Sequence, residues 1–407
     1  MFYREKTINR TFPAYALYKR SAPFIISFTY VTGINRFYMI QEITLEHLDE
    51  LEELENKSFT TDKLSRRNFR YLLTKANAIT LAEIVDNAIR GYSIILYNTG
   101  TSLARLYSFA VDPDFRNQGI GKQLLGASEQ AAIDYDCISM RLEVRKDNYN
   151  AIQFYKKNGY KQIGVIDDYY EDHMDAIRFE KLLAPHLKLE MVHVPYYRQT
   201  LDFTCGPSVL MMAMKALDSA VEINRQRELR IWRESTTIFM TSGYGGCGPY
   251  GLALAAFRRG FDVEVYVNES SAFFIDSVRS PDKKEVIQLV QEDFLEELHQ
   301  LPIELKYKTL SVSEIQEKFD KGGIPIVLIS SYRIYREKFP HWVVVTGFDE
   351  KYIYVHDPFV DVEVYKTETD CINMPILKKD FERMAKYGKS GQKSVIIVKK
   401  KKANILS

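Results

Sequence analysis

Two domains in tandem, a mixed α/β domain followed by an α+β domain, are the fold class this sequence predicts, and three observations carry the reading. The chain has 407 residues, more than a single hydrophobic core usually serves. Up to about Leu183 apolar runs of strand length alternate with segments of helical period, the order of a mixed α/β fold. Past a break at Ala184-Pro185-His186 the order changes to helices first and strands last, as in an α+β fold. The expected division is an N-terminal extension of no assigned role (1–38), a first domain (39–184), a second domain (189–400) and a basic tail (401–407).

In the first domain a strand over Tyr38–Ile43 leads to a helix over Leu45–Lys57, in which Leu48, Leu51 and Leu54 share one face, and to a second helix around Lys63–Lys75. Strands are expected at Ala78–Val85, Arg90–Tyr97 and Leu103–Val111. They are followed by a glycine-bearing turn and a helix with Leu124, Leu125, Ala127, Ala131 and Ala132 at helical spacing. A strand over Ile138–Val144, a helix over Asn150–Asn158 and strands over Gln162–Asp167 and Ala176–Glu180 complete the domain. In the second domain helices are expected from about Gly206 to Leu217, around Val221–Trp232 and around Tyr250–Arg259, with the Gly-rich Ser242–Pro249 run between the last two. Strands follow at Ile324–Ser330, His341–Thr346, Tyr352–His356 and Ser394–Lys399.

Composition narrows the function. With 46% hydrophobic and 27% charged residues the chain can fill packed cores. Lys plus Arg (55) nearly cancels Asp plus Glu (54), so bulk charge recommends neither nucleic acid nor a membrane surface as partner. Four cysteines, at 137, 205, 247 and 371, show no Cys-x-x-Cys pairing, which points to no metal site and no disulfide framework and suits a reducing cytoplasm. The apolar stretch Pro23–Val31 is shorter than a membrane span. The Lys399–Lys402 run reads as a solvated tail.

Chemistry in the first domain starts at Arg116-Asn117-Gln118-Gly119-Ile120-Gly121-Lys122. The two glycines let the backbone approach an anion. The first N–H groups of the following helix lack intrahelical partners and carry the positive end of its dipole, so the turn is suited to a pyrophosphate. This loop, the strand before it and the segments Leu142-Glu143-Val144-Arg145 and Asn148 to Tyr160 resemble the GNAT acyl-CoA N-acetyltransferases, in particular the ribosomal-protein-alanine branch, over Met39–Leu183. The resemblance implies a GNAT acyltransferase fold with acetyl-CoA as co-substrate and direct acetyl transfer to an amine. It implies that Gln118 to Lys122 hold the pyrophosphate, with Arg116 and Asn117 in the same loop. Backbone N–H groups of Phe109, Ala110 and Val111 would polarise the thioester carbonyl, and Asn148 would touch the CoA. Glu143 is then the expected base and Tyr155 the acid that protonates the departing thiolate. The alternative for Glu143 is an ion pair with Arg141 or Arg145, and for Tyr155 an ordinary place on an amphipathic helix.

In the second domain Cys205 stands where a helix begins, a place that favours a thiolate. Gln199 lies six residues upstream, within reach as an oxyanion donor. His341 is eight residues before Asp349 and Asp357 eight after it, so a hairpin turning there brings both to one end, where Asp357 can orient His341. His356 competes as a histidine but alternation turns it away from Asp357, and Cys247 lacks an upstream Gln. The Cys-His-Asp set with its Gln resembles the papain-like bacteriocin-processing (double-glycine) peptidases over Leu189–Lys400, apart from a long insert at Val221–Tyr307 and the lack of a membrane segment. A papain-like cysteine peptidase acting on peptides is implied. The alternatives are a peptidase-like domain that only binds the acceptor peptide, and a thiol amidase or transpeptidase acting on a non-protein substrate.

Overall fold

A computed structural model describes residues 25–27, 39–86, 88–237, 245–269 and 271–401. The N-terminal extension apart from 25–27, the first part of the Gly-rich run (242–244) and the tail from 402 lie outside the described residues. The chain divides into two compact units, one of Met1–Leu96, Leu106–Gln130 and Tyr170–His173, the other of Tyr97–Arg105, Ala131–Tyr169 and Met174–Ser407.

In the smaller unit the strand Met39–Glu42 pairs antiparallel with Ala78–Val85, and that strand with Ala88–Tyr97, in a register that sets Ile40 opposite Glu83 and Ala82 opposite Tyr92. The first helix begins as a 3-10 turn, Leu45–His47, and continues as Leu48–Ser58, with Leu48, Leu51 and Leu54 all buried. The second, Arg66–Thr74, starts on a capping box between Ser65 and Asn68, which satisfies two backbone donors reciprocally.

The larger unit contains its own run of paired strands. Residues 103–105, the start of the strand Leu103–Val111, pair parallel with 139–141, and Ser139–Arg145 pairs antiparallel with Ala176–Leu182, which pairs with Lys161–Ile166. Two contacts join these strands to the rest of the larger unit. Ile138, Leu187, Tyr352 and Tyr354 form one apolar cluster, and the Arg141 guanidinium donates to the carbonyls of Thr369 at 2.7 Å and Ile372 at 2.5 Å.

A second sheet in the same unit carries, in spatial order, Glu304–Tyr307, Phe261–Val267, Ser394–Lys400, Ile324–Ser330, Pro340–Phe348, Tyr352–His356 and Met374–Leu377. Helix Cys205–Leu217 packs on Pro340–Phe348 and Ile324–Ser330, and helix Pro249–Phe257 on Phe261–Val267. Val343, Val344 and Val345 are all fully buried, as residues on both faces of a covered strand must be. The structure corrects the expected order here. Phe261–Val267 pairs antiparallel with Ser394–Lys400 along its whole length, so part of the presumed insert is an inner strand of the sheet. Its Phe-Asp-Val-Glu-Val-Tyr-Val alternation is the period-two signal of a strand.

Candidate active sites

In the smaller unit the strand Leu103–Val111 ends at Asp112, whose carboxylate caps the 3-10 turn Pro113–Phe115 by accepting from Asp114 N–H at 2.9 Å and pairs with Lys57 at 2.8 Å. Arg116 Nε donates back to Val111 O at 3.2 Å, which folds the loop onto the strand end. Asn117 and Gly119 then take left-handed backbone, at φ +64° and +88°. The helix Ile120–Asp134 follows, its first turn closed by Gln123 N–H on Gly119 O at 3.1 Å. Residues 116–119 are exposed. A Cβ on Gly119 would meet nothing within 4 Å, so glycine is required there for conformation and not for space. Phe109 and Val111 are half-buried and Ala110 is buried.

In the larger unit Glu143 lies on the strand Ser139–Arg145 with its side chain 4% exposed and paired to Arg105 at 2.8 Å. Arg141 pairs with Glu180 and Arg145 with Asp147. Arg105 was not singled out in the sequence because its partners Glu143, Tyr169 and Asp370 are remote in the chain. Glu143 Oε2 is occupied by that pair, whereas Oε1 is buried with no hydrogen-bond partner. Asn148 caps the helix Tyr149–Lys157 by accepting from Ala151 N–H at 3.1 Å. Tyr155, in the same helix, is buried beside Tyr160 and Phe179. Burial raises its phenol further above the ordinary value, so it enters any reaction protonated.

Cys205 opens the helix Cys205–Leu217 and is 8% exposed. His341, second residue of Pro340–Phe348, places Nε2 2.6 Å from Asp357 Oδ1. Burial opposes charge on this imidazole, but Asp357 outweighs it and the group is pushed up to about 10. Cys205 also favours charge on this imidazole, after Asp357. A pairing symmetric about Asp349 would set Trp342 opposite His356. The strands instead set Val344 opposite His356, with a bulge between Val345 and Gly347, and the side chains of His341 and Asp357 bridge the offset.

Asp357 accepts further from Phe359 N–H at 2.8 Å and from Tyr335 O–H at 2.7 Å. The sequence reading missed Tyr335, which lies in the short helix Tyr332–Tyr335 with nothing local to mark it. Gln199 is buried, its backbone N–H bound to Pro358 O at 2.9 Å and its Nε2 to Leu201 O at 2.8 Å, while its Oε1 has no hydrogen-bond partner. Glu228 was also missed. Fully buried, it accepts from Tyr197 O–H, from Thr200 N–H and O–H, and from Thr204 O–H, holding the loop that leads into Cys205.

His356 is engaged elsewhere. Its Nε2 donates to Val194 O at 2.8 Å and its Nδ1 accepts from Asn373 N–H at 2.9 Å. Burial brings it down to about 4. The other thiols are pushed up by burial, Cys137 to about 12 and Cys247 and Cys371 well above the ordinary value, and Cys247 O accepts from the Trp342 indole at 3.0 Å. Among the described residues no cluster of His, Cys, Asp and Glu is placed to hold a metal ion, and no helix is long and apolar enough to cross a membrane.

The two histidines predict a pH profile of stability. His341, raised in the fold, contributes stability that is complete below about pH 6.5 and lost as pH rises through about 10. His356, depressed, contributes stability that is present above about 6.5 and lost as pH falls through about 4. Thermal unfolding midpoints across this range should therefore peak near 6.5 in the contribution of this pair. His341→Gln should flatten the alkaline limb and His356→Gln the acid limb; limbs unchanged in both variants would mean that neither imidazole is held as described.

Comparison with known proteins bears on both regions. Residues 45–160 match the model of the Acetyltransferase (GNAT) family and residues 194–399 that of the Peptidase_C39 like family. An N-alpha-acetyltransferase of Sulfurisphaera tokodaii is 44% identical over 34% of this chain and 89% of its own. An uncharacterized N-acetyltransferase of Methanocaldococcus jannaschii is 32% identical over 34% of this chain and 88% of its own. The ribosomal protein bS18-alanine N-acetyltransferase of Salmonella typhimurium is 35% identical over 18% of this chain and 52% of its own. The chain thus belongs to the Peptidase_C39-like family through residues 194–399 and to the GNAT acetyltransferase family through residues 45–160.

Proposed function

We propose that this protein is a bifunctional enzyme of the reducing cytoplasm: an acetyl-CoA-dependent N-acetyltransferase acting on a peptide or protein amine, joined to a Cys-His-Asp cysteine peptidase acting on peptides. The observation that carries the second activity is the buried set of Cys205, His341 and Asp357, with the imidazole oriented by Asp357 and its charge favoured by both Asp357 and Cys205. The Cys205 thiolate attacks the scissile carbonyl, and His341 delivers its proton to the leaving amine. Water then hydrolyses the acyl-enzyme. Gln199 and the Cys205 N–H stabilise the oxyanion.

The first activity is supported by the exposed glycine loop at a helix start and by relatives whose names describe acetylation of α-amines. Backbone N–H groups of Gln118 to Lys122 hold the acetyl-CoA pyrophosphate, and those of Phe109 to Val111 polarise the thioester. The amine nitrogen attacks the acetyl carbon, the C–S bond breaks, and Tyr155 gives its proton to the sulfur. Glu143, through its unpartnered Oε1, takes the proton that the amine must lose before it can attack, and the proton that the nitrogen sheds after attack passes to solvent.

Mass spectrometry of a peptide library incubated with the protein, with and without acetyl-CoA, tests both halves. Acetyl groups gained and chain length lost are the expected results, and a library unchanged in both respects would overturn the reading. Tyr155→Phe should lower acetyl turnover by about 10²-fold with acetyl-CoA affinity unchanged, because its proton acts on charge that develops only in the transition state. Turnover equal to wild type would make Tyr155 structural.

A further inference from the structure

The acceptor arrives mostly as an ammonium ion at neutral pH, because an α-amine has an ordinary pKa of about 8. It must shed a proton before it can attack, the step for which Glu143 is the proposed base. The smaller unit carries a second, unused set of groups suited to the same step. Glu55, on the helix Leu48–Ser58, is 2% exposed. Its Oε1 accepts from Leu64 N–H at 2.8 Å, and its Oε2 accepts from the hydroxyl of Tyr92, which is itself fully buried. Tyr92 oxygen lies 2.8 Å from Ser108 Oγ. Ser108 is half-buried on the strand Leu103–Val111, next to Phe109.

The direction of this chain follows from its end. A carboxylate can only accept, so Tyr92 donates to Glu55. The Tyr92 proton being committed, Ser108 donates to Tyr92, which leaves the lone pairs of Ser108 Oγ able to accept a further hydrogen bond. We infer that Ser108, Tyr92 and Glu55 form a proton relay that strips the first proton from the acceptor ammonium. The N–H proton passes to Ser108 Oγ as the serine proton passes to Tyr92 and the tyrosine proton to Glu55, so one proton leaves nitrogen and one carboxylate becomes a carboxylic acid. The serine and tyrosine end as they began. The surroundings suit the terminus. Burial raises the Glu55 carboxyl above its ordinary value against the opposing Leu64 N–H, Tyr92 hydroxyl and Lys63 ammonium. Tyr92, facing Glu55, Ser108 and Tyr107, is itself raised by burial and does not ionise.

The inference rests on the acetyltransferase reading, and the experiment separates the two. Full-length protein is assayed by CoA release with a panel of short peptides bearing free α-amines, from pH 6.5 to 9, alongside Ser108→Ala and Ser108→Thr. Ser108→Ala should lose about tenfold in kcat/KM for the peptide at pH 6.5, where only about 3% of an α-amine is neutral. It should come within twofold of wild type at pH 9. Acetyl-CoA affinity by calorimetry should stay unchanged, and Ser108→Thr, which keeps a hydroxyl, should follow the wild-type profile. A Ser108→Ala profile equal to wild type, or a loss of the same size at every pH, overturns the relay while the acetyltransferase reading stands. A wild-type protein that acetylates no peptide overturns both.

Discussion

His341→Ala should slow alkylation of Cys205 by iodoacetamide about tenfold at pH 7 and lower peptide cleavage by about 10³-fold. The first figure follows from thiolate chemistry. An unassisted thiol, with a pKa of about 8.5, is only about 3% thiolate at pH 7, so a cation that ionises it fully gains at most roughly thirtyfold. Part of that gain is returned because a stabilised thiolate is a weaker nucleophile. The second figure is larger because cleavage also needs the proton that His341 delivers, and general acid–base catalysis accounts for about 10²- to 10⁴-fold. His341 can play both parts because Asp357 keeps it charged up to about pH 10. Cys205 should also outpace Cys137, Cys247 and Cys371, whose thiols burial pushes up. Gln199→Ala separates the steps. Cleavage should fall by about 10²-fold with alkylation intact, since an oxyanion donor acts on the tetrahedral intermediate and not on the resting thiolate. Peptide mapping of the alkylated protein reads all these rates. A Cys205 rate indifferent to His341 would leave a binding module with the look of a peptidase.

Gly119→Val should weaken acetyl-CoA binding by about 10- to 100-fold while leaving Cys205 alkylation unchanged. Gly119 stands at φ +88°, a backbone region closed to a β-branched residue, where strain of about 1–3 kcal/mol forces the loop elsewhere. That range corresponds to roughly 5- to 150-fold in an equilibrium constant. Steric collision plays no part, because a Cβ there would touch nothing within 4 Å. The loss would come from N–H groups of the first helical turn that no longer converge on the pyrophosphate. Calorimetric titration with acetyl-CoA measures it, and an unchanged affinity would remove residues 118–122 from the binding site.

Much of the fold was legible because its signals are local. The helix Leu48–Ser58 follows from Leu48, Leu51 and Leu54, all of which are buried. The strands Ala78–Val85 and Leu103–Val111 fall at their expected bounds, because mostly apolar runs of strand length are a local signal. The strand Phe261–Val267 carries a period-two alternation, but helical segments on both sides mask it in a linear reading. The strands Glu304–Tyr307 and Met374–Leu377 are too short to announce themselves.

What the sequence determined by itself is the set of chemical groups and their local settings: a glycine turn at a strand-to-helix junction, a cysteine at a helix start, a histidine and an aspartate at one end of a hairpin. Spacing of this kind survives in a linear reading because hydrogen bonds within turns and helices act over a few residues. The tertiary structure alone decided which groups are charged, paired or buried together. Glu143 meets Arg105 across 38 residues, Glu55 meets Tyr92 across 37, and Asp357 meets Tyr335 across 22. Desolvation in a packed core is what makes such pairings matter. A buried polar group needs a partner wherever the fold can bring one, and the chain carries no local mark of which partner that will be.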